Sequence, residues 1–150
     1  MNKIIKILHI EPSISSSREV EKTLAGMGYQ VEYKRIETRN EIERIIPIFT
    51  PDVLISEFQL RGFDGNEVLE RVSKVNKNLP VIFFTDAAST VKEKLELLKK
   101  GATYVLEKSK LDELELALFI ALKTNNASDQ AQKQNAIEWN VIRNVVKDAS

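Results

Sequence analysis

The chain has 150 residues, with 22 Lys+Arg against 22 Asp+Glu and a formal net charge of zero. That length suits one domain plus an appended element, and the balanced charge provides no electrostatic footprint for nucleic acid. Cysteine is absent, which excludes disulfides, thiolate nucleophiles and cysteine metal sites and fits a reducing compartment.

The opening "MNKIIKILHI" is apolar but too short to span a membrane, and it lacks a signal-peptide cleavage pattern. The sequence therefore reads as a cytoplasmic chain with no membrane or nucleic-acid partner. Within that opening, Ile4–Ile10 reads as a buried strand and "EPSISSS" as the loop after it. "SREVEKTLAGMG" places Val20, Leu24 and Met27 on one helical face, and Gly28 stops it. "YQVEYKRI" alternates as a strand, with Val31 and Tyr33 on one side. "TRNEIERIIPIF" predicts a helix opened by a Thr38–Glu41 capping box, with Pro47 ending or distorting it.

"DVLIS" is a third strand, apolar on both faces, and the residue that ends it is Glu57. "GNEVLERVSKV" predicts a helix with Val68, Leu69 and Val72 inward. "PVIFFT" is the fourth strand. "TVKEKLELLKKG" is a helix capped by Thr90 and Glu93 and closed by Lys99, Lys100 and Gly101. "TYVLEK" is the fifth strand and "LDELELALFIALK" the fifth helix. Five strand–helix rounds, with strands apolar on both faces, predict an α/β, doubly wound, five-stranded parallel sheet. Chemistry in such folds sits past the carboxyl ends of the strands, near a switch point. That selects Glu11 and Pro12, Glu57, Thr85 and Asp86, and Lys108 and Ser109.

Residues 3–124 thus form one domain, and residues 125–150 read as a polar linker followed by an amphipathic C-terminal helix. In that helix Ile137, Val141 and Val145 line one row, and Trp139 reads as a packing anchor. The helix packs on its own domain, is presented to a partner, or begins a connector to a further domain. His9, inside an apolar strand, reads as a core histidine.

The strand-end positions resemble the receiver domain of two-component response regulators over roughly Lys6–Lys123. The matching stretches are "LHIEPS", "EFQLRGFDG", "VIFFTD" and "GATYVLEKS", in the order that family uses. The wording of the motifs is most similar to receivers attached to sensor histidine kinases or other PAS-type signalling proteins. The resemblance implies a flavodoxin-like fold, here with an extra C-terminal helix. It aligns Glu57 with the phosphoacceptor aspartate and Glu11 and Pro12 with the two acids of the first loop. Thr85 takes the switch hydroxyl position, Val105 the aromatic partner of that switch, and Lys108 the lysine after the fifth strand.

The departures point away from the usual chemistry. The family's phosphorylation needs Mg²⁺, which demands near-octahedral oxygen ligands. Pro12 supplies no side-chain oxygen where a direct ligand is expected, so no metal is expected, with Glu11 and Glu57 the ligands if one binds. Glu57 reaches further than aspartate by about 1.5 Å, and in-line transfer is sensitive to such displacements. Asp86 sets a carboxylate where phosphate must fit. Val105 has no ring, and Tyr104 should face the other side. Lys108 is expected to pair with Glu57.

The resemblance therefore implies an atypical receiver in a phosphorelay pathway, not an enzyme and with no cofactor. It would work as a protein-interaction module. Its partners would be a histidine kinase, a PAS-type protein or a second copy through the face from Thr90 to Lys123. The alternative is a phosphorylatable receiver that accepts phosphate from a histidine kinase with Mg²⁺. A flavin or nucleotide site is disfavoured because "EPSISSS" has no glycine to admit a phosphate. A helix-turn-helix output is not expected in the residues after Lys123.

Overall fold

The computed structural model describes residues 4–86 and 88–124. The extra C-terminal helix, the linker before it and Trp139 lie outside the described residues. The elements are β1 (Ile4–Ile10), α1 (Ile14–Ala25), β2 (Gln30–Ile36), α2 (Arg39–Phe49), β3 (Val53–Glu57), β4 (Gln59–Leu60), β5 (Phe63–Asp64), α3 (Gly65–Val75), β6 (Val81–Thr85), α4 (Val91–Lys99), β7 (Tyr104–Glu107) and α5 (Leu114–Thr124). A short 3₁₀ turn, Leu111–Glu113, leads into α5.

Five strands form one parallel sheet in the order β2-β1-β3-β6-β7. Chain order reverses between β1 and β3, and loops diverge there and leave a crevice at the strand ends. The central strands are apolar on both faces because helices cover both. Leu54, Ile55, Phe83 and Phe84 are fully buried. Side chains alternate across the sheet and paired residues share a face. His9 and Tyr33 therefore lie on the α1 side, where Tyr33 meets Ser17 at 2.7 Å. Ser56, Phe83 and Val105 lie on the other, where Phe83 packs toward α3 at Gly65.

Three local features differ from the sequence reading. Helix α1 begins at Ile14, inside the stretch read as loop, because the Ser13 hydroxyl caps it by accepting from the Ser16 amide at 3.3 Å. Pro47 neither ends nor breaks α2; the helix runs on to Phe49 and stops at Thr50, which adopts a left-handed φ of 50°. Pro47 lacks the N–H that would donate to the Glu43 carbonyl, so α2 forgoes one bond in its last turn and ends two residues later. Finally, the glycine-punctuated loop after Glu57 contains a two-stranded hairpin, β4–β5, turned at Gly62 with φ 79°.

At the end of that hairpin Asp64 caps α3 by accepting from the amides of Asn66 and Glu67. A Cβ at Gly65 would stand 2.5 Å from Phe58 and 2.8 Å from Phe83. Only glycine lets the start of α3 approach the sheet this closely.

Candidate functional site

Three other strand ends meet Lys108, two at its ammonium and one at its backbone amide. Glu11 follows β1 directly, and its backbone is fixed on both sides. Its amide donates to the Ile36 carbonyl at 3.0 Å, and its carbonyl accepts from the Arg35 guanidinium at 2.9 Å. Its carboxylate is buried, with the residue 3% exposed. One oxygen accepts from the Ser13 amide at 3.2 Å and the other from Lys108 Nζ at 2.9 Å. Glu57, the last residue of β3, also forms an ion pair with Lys108 Nζ. Lys108 is held in turn by its amide, which donates to the Thr85 carbonyl at 2.9 Å.

The sequence-expected pair of Lys108 with Glu57 is thus half of the arrangement. Glu11 is the other half, and Pro12 beside it contributes no polar side-chain atom. Two carboxylates face one ammonium, so the cluster carries one surplus negative charge when all three are ionised. Burial opposes ionisation of Glu11, but hydrogen bonding with Glu57, Lys108 and the Ser13 amide outweighs it and holds this carboxyl below its ordinary value. Glu57 moves the other way, up to about 7, chiefly through burial, with Glu11 adding to the rise against the pull of Lys108. Burial disfavours the Lys108 ammonium, yet the two acids keep its pKa above the ordinary lysine value. With its pKa near about 7, Glu57 is partly protonated at neutrality, which offsets part of the surplus charge.

The opposite face of the sheet carries the switch position. Thr85 is buried at 6% exposure, and among the described residues its hydroxyl has no hydrogen-bond partner. Val105 is buried and shares that face, by its pairing with Phe83, while Tyr104 pairs with Ile82 and belongs to the other. Beyond Val105 on the Thr85 face, Glu107 meets Lys94 of α4 at 3.3 Å in a largely buried ion pair. Sequence reasoning missed that pair, although alternation along "YVLE" puts Glu107 on the face of Thr85. Asp86 is exposed, and its carboxylate accepts from the Ala88 amide at 3.0 Å and so caps its own loop.

His9 is fully buried on the α1 side. Its Nδ1 meets the Tyr33 hydroxyl at 2.5 Å, and Tyr33 reaches Ser17. Burial lowers its pKa to about 4, so the ring stays neutral at physiological pH, as a packed core histidine should.

Above the ion cluster opens a cleft of about 350 Å³, lined by Glu57, Phe58, Thr85, Asp86, Glu93 and Lys108 among others. Among the described residues there is no group of three or more His, Asp or Glu placed to hold a metal ion. No described helix is long and apolar enough to cross a membrane.

Comparison with known proteins agrees with this architecture. The chain is 29% identical over 117 residues to the DNA-binding transcriptional regulator NtrC of Klebsiella pneumoniae, a match covering 78% of this chain and 24% of that protein. The chain thus spans about a quarter of the length of that relative. It shares its fold with a response regulator receiver domain protein from Clostridium thermocellum, with a TM-score of 0.69, 22% identity and coverage of 79% and 94% of the two chains. The receiver domain of the Francisella response regulator 1452 gives a TM-score of 0.68 at 24% identity, covering 80% and 98%. The family of response regulator receiver domains matches residues 7–119, most of the chain and every strand end described above. This chain therefore belongs to the response regulator receiver domain family of two-component signalling.

Proposed function

We propose that this chain is an atypical receiver that signals through protein contacts and is not itself phosphorylated. The observation that carries the reading is the double engagement of Lys108 by Glu11 and Glu57. A phosphoryl acceptor must offer a free carboxylate oxygen in line with its donor. Here the acceptor-equivalent oxygen faces an ammonium, and burial raises its carboxyl pKa to about 7, so that it is only partly ionised near neutrality and its nucleophilicity falls. Magnesium fits poorly as well. Pro12 replaces an oxygen ligand, and Lys108 lies against both remaining acids, whereas Mg²⁺ demands near-ideal octahedral oxygen geometry.

The contact surface would be the face from Thr90 to Lys123. It is charged along α4, but α5 exposes Leu116 and Phe119, at 44% and 54%. Lys123 lies over the Phe119 ring at 5.3 Å to its centroid. A helix apolar on both its inner and outer faces suits a partner. That partner would be a histidine kinase, a PAS-type signalling protein or a second copy, in the cytoplasm.

The test is incubation of the chain with Mg²⁺ and a small phosphodonor, followed by intact mass. An unchanged mass is expected. A stable increment of one phosphoryl group, mapped to Glu57, overturns the reading in favour of a receiver that accepts phosphate from a histidine kinase.

A further inference from the structure

Helix α5 has two apolar sides. Leu114, Ala117, Leu118 and Ala121 are buried and turn toward the sheet. On the outside, Leu116, Phe119 and Lys123 stand exposed at i, i+3 and i+7, one row along the helix, with the Lys123 ammonium over the Phe119 ring. Continued at the same spacing past Thr124, that row would meet Asn126, Gln130 and Lys133. All three are polar, so a lengthened α5 would have no apolar seam to zip against a second copy. Apolar residues resume at Ile137. Trp139, Ile142 and Val146 repeat the i, i+3, i+7 spacing, and Val141 and Val145 widen the apolar side.

We propose that residues 137–146 fold back as a helix onto the outer row of α5 and cover Leu116 and Phe119, so that the chain's own tail occupies the surface a partner would use. The 12 residues 125–136 join the two stretches. A dozen residues extend to at most ~40 Å, whereas α5, with 11 residues, is ~16 Å long. Either end of the outer row is therefore within reach. Tethering through so few residues presents the segment at a local concentration on the order of millimolar. Because this rests on the reading of that face as the contact surface, an incoming protein has to displace the tail before it can bind.

Trp139 is the chain's single tryptophan, and the chain has no cysteine, so the test needs no background substitutions. In the full chain, the native emission of Trp139 should lie to the blue of that of the urea-unfolded chain. Phe119→Ser should move it back to the red with native circular dichroism kept, and Leu116→Ser should act in the same direction and stands in if the first variant fails to fold. Ile48→Ser, which removes an exposed apolar side chain on α2, should leave the emission where it is. A nitroxide on Glu115→Cys or on Lys123→Cys, at the two ends of the row, should quench Trp139 in at least one case, and dilution should not relieve the quenching.

Native emission equal to that of the unfolded chain overturns the proposal and leaves the row to an outside partner. Emission unchanged by both α5 substitutions overturns it as well. Quenching that passes from a labelled chain carrying Trp139→Phe to an unlabelled one assigns the row to a second copy instead. A phosphoryl group found on Glu57 would sink the proposed function while leaving a blue-shifted, dilution-independent Trp139 signal, and with it the folded-back tail, intact.

Discussion

The Lys108 cluster and the Thr85 hydroxyl, on the two faces of the sheet's carboxyl edge, are treated in opposite ways. On the α1 side, Lys108 is shared by two acids, Glu11 accepts from both Lys108 and the Ser13 amide, and Arg35 holds the backbone behind them. On the α3–α4 side, the Thr85 hydroxyl is buried with no partner among the described residues, and the same face carries aliphatic Val105 at the position where the family's aromatic switch would stand. A buried hydroxyl left unpaired costs stability, and ion pairs in a buried cluster fix geometry more surely than they stabilise. The contrast teaches that the charged half is held by several partners while the switch hydroxyl has none among the described residues. A receiver that cycled would need the two halves to exchange partners.

The largest effect expected from breaking this contrast comes from the charged side. Lys108→Met leaves two facing carboxylates without a cation and should cost about 2–3 kcal/mol at pH 8, less than a fully buried pair because Lys108 is partly exposed. Urea denaturation should show the loss shrinking at pH 5, where a carboxyl can take up a proton in place of the ammonium. Next, Gly65→Ala forces a methyl group into Phe58 and Phe83 on the hydroxyl side. It should cost roughly 1–3 kcal/mol by overpacking, read as a fall in the denaturation midpoint with unchanged m.

The third test is pH alone. The folded-state pKa of Glu57 lies above its ordinary value of 4.5, at about 7. The folded chain therefore binds more protons than the unfolded one between those values, and this contribution is lost as pH rises through 7. Stability should fall from pH 5 to pH 8 by on the order of 1–2 kcal/mol, and Glu57→Gln should flatten that slope. Glu11, shifted down, acts in the reverse sense and is lost only toward acid pH. The smallest effect, of opposite sign, is Thr85→Val. Replacing an unpaired hydroxyl by a methyl should be neutral or stabilising by about 0.5–1 kcal/mol. A clear destabilisation would mean that Thr85 has a partner after all.

Much of this architecture was legible in the chain. Runs such as "DVLIS" and "VIFFT" are apolar throughout because both faces are covered, and the order of the turns followed from right-handed crossovers. Glu11, Glu57, Thr85 and Lys108 were legible as strand ends. What escaped were features set by distance in sequence or by a single cap. Lys108 meets Glu11 across 97 positions, a pairing that depends on which strands are neighbours. Arg35 reaches Glu11 through the β1–β2 register. Helix α1 starts among serines, where propensity argues for loop, because Ser13 caps it. The β4–β5 hairpin spans too few residues to show an alternating pattern.

The backbone bond from the Lys108 amide to the Thr85 carbonyl ties the charged half to the hydroxyl half. A protein that grips the outer edge formed by α4, β7 and α5 and pulls the end of β7 away would strain that bond, drag the ammonium from its seat and bare two acids at once. Mechanical work done at the rim would thus become a change of charge at the bottom of the cleft.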